Sequence, residues 1–299
     1  MRHISVLIIL MLAGCAAHHT HAQKSDDTVI TAIPVAGSVY MLESQGSGNI
    51  GVSAGEDGIL IVDDKFEPLA GQIKNALRDL NPGTLKFVIN THWHNDHTGA
   101  NAVFGRDATI IAHENVRKRL STRQEIKLFN TVVEPHPKDA LPVITFDNAV
   151  SIHFNGEEIK AVHFAHGHTD GDSVIFFTKS NVVHMGDHFF NGIYPFIDLD
   201  SGGNVQGMID NVKQLIAIIP PGAKIIPGHG PLADIDDLKR FHDMLVQCAD
   251  IVQQSIRDGK TLEEVKAAGL PASIEEQWGG GFLSTEKWLE IVYASYARQ

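Results

Sequence analysis

Two cysteines, Cys15 and Cys248, are all that this chain of 299 residues contains, so no disulfide framework holds it together and the fold must rest on its core. Positive charge is scarce as well. With 24 Lys and Arg against 36 Asp and Glu, the chain lacks the basic footprint that nucleic acid or an anionic membrane surface would require, and neither is expected as a partner. No apolar run reaches the roughly 20 residues of a membrane-spanning helix. The stretch from Ile4 to Ala13 falls well short of that length. Repeats and low-complexity tracts are missing too, which leaves one large domain of ordinary globular composition from Thr28 to Gln299, with no protein partner inferred.

What is present at the N-terminus is Arg2, the apolar stretch, and then Leu12-Ala13-Gly14-Cys15. This resembles a bacterial lipoprotein signal. The resemblance implies that residues 1–14 are a signal peptide removed on export, that Cys15 is the lipidation site, and that residues 15–27 are a tether to the domain at 28–299. Buried acyl chains stabilise membrane attachment by roughly 0.8 kcal/mol per methylene, so a lipid anchor would hold the domain to a membrane. Ala16 offers no acidic retention cue. The periplasmic face of the outer membrane is therefore expected, or a soluble periplasmic protein if Cys15 merely lies near the cleavage site. Cys248 then stands alone, on the stripe Leu238, Phe241, Leu245, Cys248 and Val252, whose helical spacing reads as core.

Apolar, β-branched segments predict strands near 29–43, 49–54 and 59–63, the last two joined by the turn residues Ala54 to Gly58. Leu69, Ile73, Leu77 and Leu80 predict a helix that Asn81-Pro82-Gly83 ends. A second series of strands is expected near 150–154, 159–163, 173–178 and 181–184. A helix with Val205, Met208, Val212 and Leu215 on its apolar face follows, stopped by Pro220-Pro221. Thr261 and Glu264 have the spacing of a capped helix start, and Trp288 to Tyr293 lie in a final helix. Two strand-rich halves, each covered by helices, are implied.

The densest chemistry lies in Thr91-His92-Trp93-His94-Asn95-Asp96-His97-Thr98-Gly99, directly after the strand Leu85 to Ile89. Three imidazoles and a carboxylate crowd one turn. Alternation with Trp93 points His92 and His94 to one side of an extended segment, while Asp96 and His97 fall past the bend and face a second position. That spacing suggests two metal ions, organising side chains that would otherwise lose hydration and compete for space.

His-x-His-x-Asp-His after a buried strand resembles the signature of the metallo-β-lactamase superfamily of binuclear metallohydrolases. The resemblance implies further ligands: His168 in Gly167-His168-Thr169, Asp187 after the strand Val182 to His184, and His229 in Pro227-Gly228-His229-Gly230. One ion would take His92, His94 and His168, the other Asp96, His97 and His229, with Asp187 bridging them. The resemblance also implies an α+β fold, a four-layer αββα sandwich with the metals at one edge of the inner sheets. Two zinc ions are the default for this donor set, which iron and manganese also accept.

Beside the ligands, Asp96 is the candidate catalytic residue, able to hold its ion and accept a proton from the attacking water. Phe189, Phe190, Tyr194 and Phe196 follow Asp187 and are candidates for a substrate wall, with packing under the next helix as the alternative. His166 is expected at the pocket rim, His184 in the core and His188 against substrate. Asp170 and Asp172 are expected to tie the turn around His168, His113 to start a helix, and Trp278 to Phe282 to form a surface loop. The activity implied is hydrolysis of a carbonyl-containing bond (lactam, lactone, ester or thioester) in a small-molecule substrate. A dedicated β-lactamase is the first alternative, although those enzymes usually place cysteine or serine where Asp187 stands. An iron-dependent oxidoreductase of the same fold is the second.

Overall fold

The computed structural model describes residues 28–297; the expected signal peptide, Cys15 and the expected tether lie outside the described residues. The region 29–43, expected as one strand, is a hairpin. Gly37 adopts a φ of +56° and reverses the chain between β1 (Thr31–Ala36) and β2 (Val39–Glu43). β3 (Ile50–Gly55) and β4 (Gly58–Val62) form the expected second hairpin. Next come α1 (Ala70–Leu80), with Ile73 and Leu77 buried, β5 (Leu85–Ile89), and the short α2 (Asn95–Thr98) and α3 (Asn101–Phe104). β6 (Thr109–His113), α4 (Glu114–Leu120), the β7 (Gln124–Ile126) and β8 (Thr131–Val133) hairpin, and β9 (Ile144–Phe146) complete this half.

The second half contains β10 (Ala149–Phe154), β11 (Glu157–His163), β12 (Ser173–Phe177), β13 (Val182–His184), α5 (Val205–Ile218) and β14 (Lys224–Ile226). α6 (Ile235–Arg257), α7 (Leu262–Ala268), α8 (Ala272–Trp278) and α9 (Thr285–Ala297) follow. Both α6 and α7 open with a capping box, Asp234 with Asp237 and Thr261 with Glu264. Loss of such a cap costs about 1 kcal/mol.

Seven strands form one sheet, in the order β1-β2-β3-β4-β5-β6-β9, and five form another, β10-β11-β12-β13-β14. Alternating side chains then sort into three apolar layers. Leu60, Val62, Ile89 and Ile111 meet Ile159, Ile175, Val182 and Ile226 between the sheets. Ile59, Ile61, Val88 and Ile110, one residue out of phase, pack under α1 on the outer face of the first sheet. Val174, Val183 and Ile225 do the same beneath α5, α6 and α9 on the second. Three apolar layers separate four structural ones, which is the expected αββα sandwich. The stripe of α6 is buried in the last of these layers, and burial pushes the Cys248 thiol up to about 11, leaving it inert.

Strand direction places the site. β4, β5, β6 and β9 run parallel, as do β13 and β14, while β12 runs antiparallel to β13. The ends of β5, β13 and β14 and the start of β12 therefore gather at one edge of the sandwich. Ser173 N–H donates to Thr91 O at 2.8 Å and Asn49 N–H to Gly228 O at 2.7 Å, lacing the two sheets together there.

Candidate metal centre

All seven sequence-predicted ligands meet at that edge, in two groups. His92, His94, His168 and Asp187 offer donor atoms within 4.8 Å of one another, and Asp96, His97 and His229 do the same. Asp187 faces both groups. Its Oδ2 lies 3.4 Å from His168 Nε2, 3.8 Å from His92 Nε2 and 3.5 Å from His229 Nε2, and its Oδ1 lies 3.1 Å from His97 Nε2. Asp96 Oδ2 is 3.2 Å from His229 Nε2 and 3.4 Å from His97 Nε2.

Hydrogen bonds on the far side of four of the five rings fix their tautomers. His168 Nδ1 donates to Phe196 O at 2.7 Å, His97 Nδ1 to Asp63 Oδ2 at 2.8 Å and His94 Nε2 to Asp198 Oδ2 at 3.0 Å. Thr91 Oγ1 spends its proton on Asp63 Oδ2 at 2.8 Å, so at 3.0 Å it accepts from His92 Nδ1. In their neutral form the rings of His92, His94, His97 and His168 thus turn a lone pair inward. His168 Nε2 and His94 Nδ1 stand 2.8 Å apart, His97 Nε2 and His229 Nε2 3.3 Å apart, and His92 Nε2 is buried with no hydrogen-bond partner among the described residues. Lone pairs aimed at one another in a dry space require a cation between them. The residues present fit divalent metal ions.

Electrostatics agree. Burial, the largest influence on Asp187 and Asp96, works against their ionisation, yet the surrounding histidines hold both carboxyls well below the usual range. Burial likewise opposes protonation of His97 and His229. The Asp187 and Asp96 carboxylates outweigh it, lifting His97 well above its ordinary value and His229 to about 9. For His168 burial prevails and the ring falls to about 4. A concentrated negative charge faces the rings, as a cation site demands.

Two glycines are required by close approach. A Cβ on Gly48 would stand 2.2 Å from the His97 ring, and one on Gly228 would stand 2.1 Å from Asp187 Oδ1. Asn49 Nδ2 donates to Pro227 O at 3.0 Å and Gly230 O at 2.8 Å, holding the turn that carries His229.

A cavity of about 810 Å3 opens beside the second group, lined by His94, Asp96, Asp187 and His229 together with apolar side chains. Phe190 and Phe196 line it as expected. Phe189 and Tyr194 do not. Phe189 packs on Phe241 with ring centres 5.3 Å apart, and Tyr194 stacks on Trp288 at 5.9 Å, both inside the helix-side core. His188 is fully buried beside Asn211 rather than turned towards substrate, because it follows a ligand that occupies the pocket face. His166 sits on the surface with φ +56°, its Nδ1 3.2 Å from Gly202 O and away from the cavity. Asp172 ties the His168 turn by accepting from Thr169 N–H at 2.8 Å, whereas Asp170 forms a two-armed pair with Arg119 at 2.7 Å. His184 is a core residue and His113 caps α4, as the sequence suggests. Trp278 ends α8 in the core, and the glycines after it carry Phe282 to the cavity wall, correcting the simple surface loop.

Sequence reasoning missed Asp63, Asp198 and the β7–β8 hairpin. Asp63 and Asp64 at the end of a buried strand were a usable signal, since paired acids there need partners. Ile126, Phe129, Thr131 and Val133 of the hairpin region line the cavity.

A layered sandwich with a histidine and aspartate cluster at its edge defines a class of metal-dependent enzymes. The family model of the metallo-beta-lactamase superfamily matches residues 34–229, and the chain belongs to that superfamily. The 2,4-dinitroanisole O-demethylase subunit alpha of Nocardioides sp. (strain JS1661) is 24% identical over 205 residues, 67% of this chain and 57% of that protein. A probable metallo-hydrolase of Methanocaldococcus jannaschii is 29% identical over 168 residues, covering 54% of this chain and 75% of the relative. The chain thus spans little more than half of the first relative and three quarters of the second. Among solved structures, the inverting sec-alkylsulfatase Pisa1 from Pseudomonas sp. superimposes with a TM-score of 0.66 at 15% identity, over 89% of this chain and 50% of that one. That likeness is one of fold.

Proposed function

We propose that the protein is an exported, lipid-anchored binuclear hydrolase that opens a carbonyl-containing bond in a partly apolar small molecule, with zinc as its metal. The observation that carries this reading is the convergence of lone pairs from both sheets on two adjacent positions beside an open cavity. His92, His94 and His168 would hold one ion, Asp96, His97 and His229 the other, with Asp187 between them. When bound, two divalent ions supply Lewis acidity and a water acidified towards neutrality. Asp96, whose side chain is 24% exposed, would be placed to hold its ion and to accept a proton. Asp63, Asp198 and the Phe196 carbonyl keep three rings in the ligating tautomer, and the apolar cavity orients the substrate.

The test is the zinc-loaded domain without residues 1–24, assayed on a cephalosporin, an acyl lactone and a thioester with Asp96→Ala as control. Turnover of the lactone or thioester, abolished in the control, supports the reading. Cephalosporin turnover far above the others makes the protein a dedicated β-lactamase instead, and iron with oxygen consumption in place of zinc makes it an oxidoreductase. The name of the Nocardioides relative favours including an aryl ether, 2,4-dinitroanisole, as a fourth substrate. Export and Cys15 lipidation are tested separately, by labelling with radioactive palmitate in cells producing the full chain and its Cys15→Ser variant.

A further inference from the structure

Apart from the histidines that the metal ions would engage, the ionisable side chains lining the cavity beside the two ligand groups are all acidic. Glu43, Asp96 and Asp187 are its charged carboxylates, and among the described residues no lysine or arginine lines it. Lys65, which burial lowers to about 7, is fully buried and commits its Nζ to the Gly48 carbonyl. It gives the cavity no cation. Facing this acidic rim are two aromatic walls. Phe196 lies 5.5 Å from the His94 ring and 4.9 Å from Phe129, while Phe190 stacks on His229 at 5.0 Å with Phe282 a further 6.3 Å from the same imidazole. Phe129 and Phe282 are 42% and 59% exposed, placing apolar surface at the mouth where an incoming arm would lie.

We propose that this site, taken as the hydrolase centre described above, selects esters and lactones bearing an uncharged apolar arm and rejects those whose arm ends in an anion. An apolar arm displaces water from both aromatic walls. An anionic arm seated there loses hydration, finds no lysine or arginine and faces Glu43. The metals do not supply the missing partner, because in a productive complex the reacting group occupies them.

The experiment compares kcat/KM of the zinc-loaded protein for para-nitrophenyl hexanoate and for the mono-para-nitrophenyl ester of hexanedioate, which differ in a terminal carboxylate. Nonproductive binding of that carboxylate to the metals leaves kcat/KM unchanged. The neutral ester is expected to exceed the anionic one by about tenfold or more, the penalty of desolvating an unpaired charge. Glu43→Gln is expected to narrow the gap. Equal values, or preference for the anionic ester, overturn the proposal, and an unchanged gap in Glu43→Gln removes Glu43 from it. Should neither ester be hydrolysed, the hydrolase reading fails while the selectivity is still decided by calorimetric binding of hexanophenone against the same ketone with a terminal sulfonate. Tighter binding of the neutral ketone sustains the proposal, and equal affinities or tighter binding of the sulfonate overturn it.

Discussion

The two groups of donors sit a few ångströms apart and live in different surroundings. His92, His94 and His168 are buried, each with its far nitrogen anchored, to Thr91, Asp198 and the Phe196 carbonyl respectively. Asp96 and His229 instead open onto the cavity, with side chains 24% and 15% exposed, and His229 rests against Phe190. An enclosed, fully anchored group is organised to retain its ion; an open one is organised to exchange ligands and meet substrate. Adjacent sites built from nearly the same residue types can thus divide holding from reacting.

The sharpest way to break this comparison is Asp187, which serves both groups. Asp187→Ala is expected to lower kcat/KM by about a thousandfold or more, beyond the 10–100-fold typical of losing an outer partner, and to weaken both ions. Atomic absorption should find well under two metals per chain, whereas Asp96→Ala should retain one. Next come the outer carboxylates. Asp198→Ala is expected to weaken only the enclosed ion and Asp63→Ala mainly the open one, each by roughly 10–100-fold in a chelator competition titration. Equal losses at both positions would show that the groups act as one.

A pH series separates them further. His229, at about 9, and His97, also raised, hold protons in the metal-free protein at neutral pH. An ion entering the open group must displace them, so its apparent affinity should fall by up to about tenfold per unit and per proton as pH drops below about 9. His168, at about 4, is already neutral there and adds no such slope to the enclosed group. The smallest effect expected is from Phe129→Ala at the mouth, a rise in KM of about tenfold or less with kcat little changed, measured by steady-state kinetics.

The ligands were legible in the sequence because ligation demands fixed residue types, and three of the four ligand-bearing blocks directly follow strands. The fold was legible for a related reason, since buried strands leave apolar runs whose alternation shows in Ile59 to Val62. The substrate wall was only half legible. Phe189 and Phe190 are neighbours of equal hydropathy, yet one enters the core and the other faces the cavity, and the backbone path after Asp187 decides which. Asp63 and Asp198 escaped because each acts across more than thirty residues of chain, on His97 and His94, through contacts that only folding creates. The β7–β8 hairpin escaped because strands of three residues carry too little periodicity to read.

The ligands also come from both halves of the chain: His92, His94, Asp96 and His97 follow a strand of the first sheet, while His168, Asp187 and His229 belong to the second. An ion shared between them works as a rivet, fastening two layers that also meet through oily surface, backbone bonds at that edge and side-chain bonds such as Arg119 to Asp170. Loading then becomes part of the protein's mechanical integrity. By mass action, free metal at about a hundred times its dissociation constant would add about 2.7 kcal/mol against unfolding. In a metal-starved compartment such a protein would grow fragile before it fell silent.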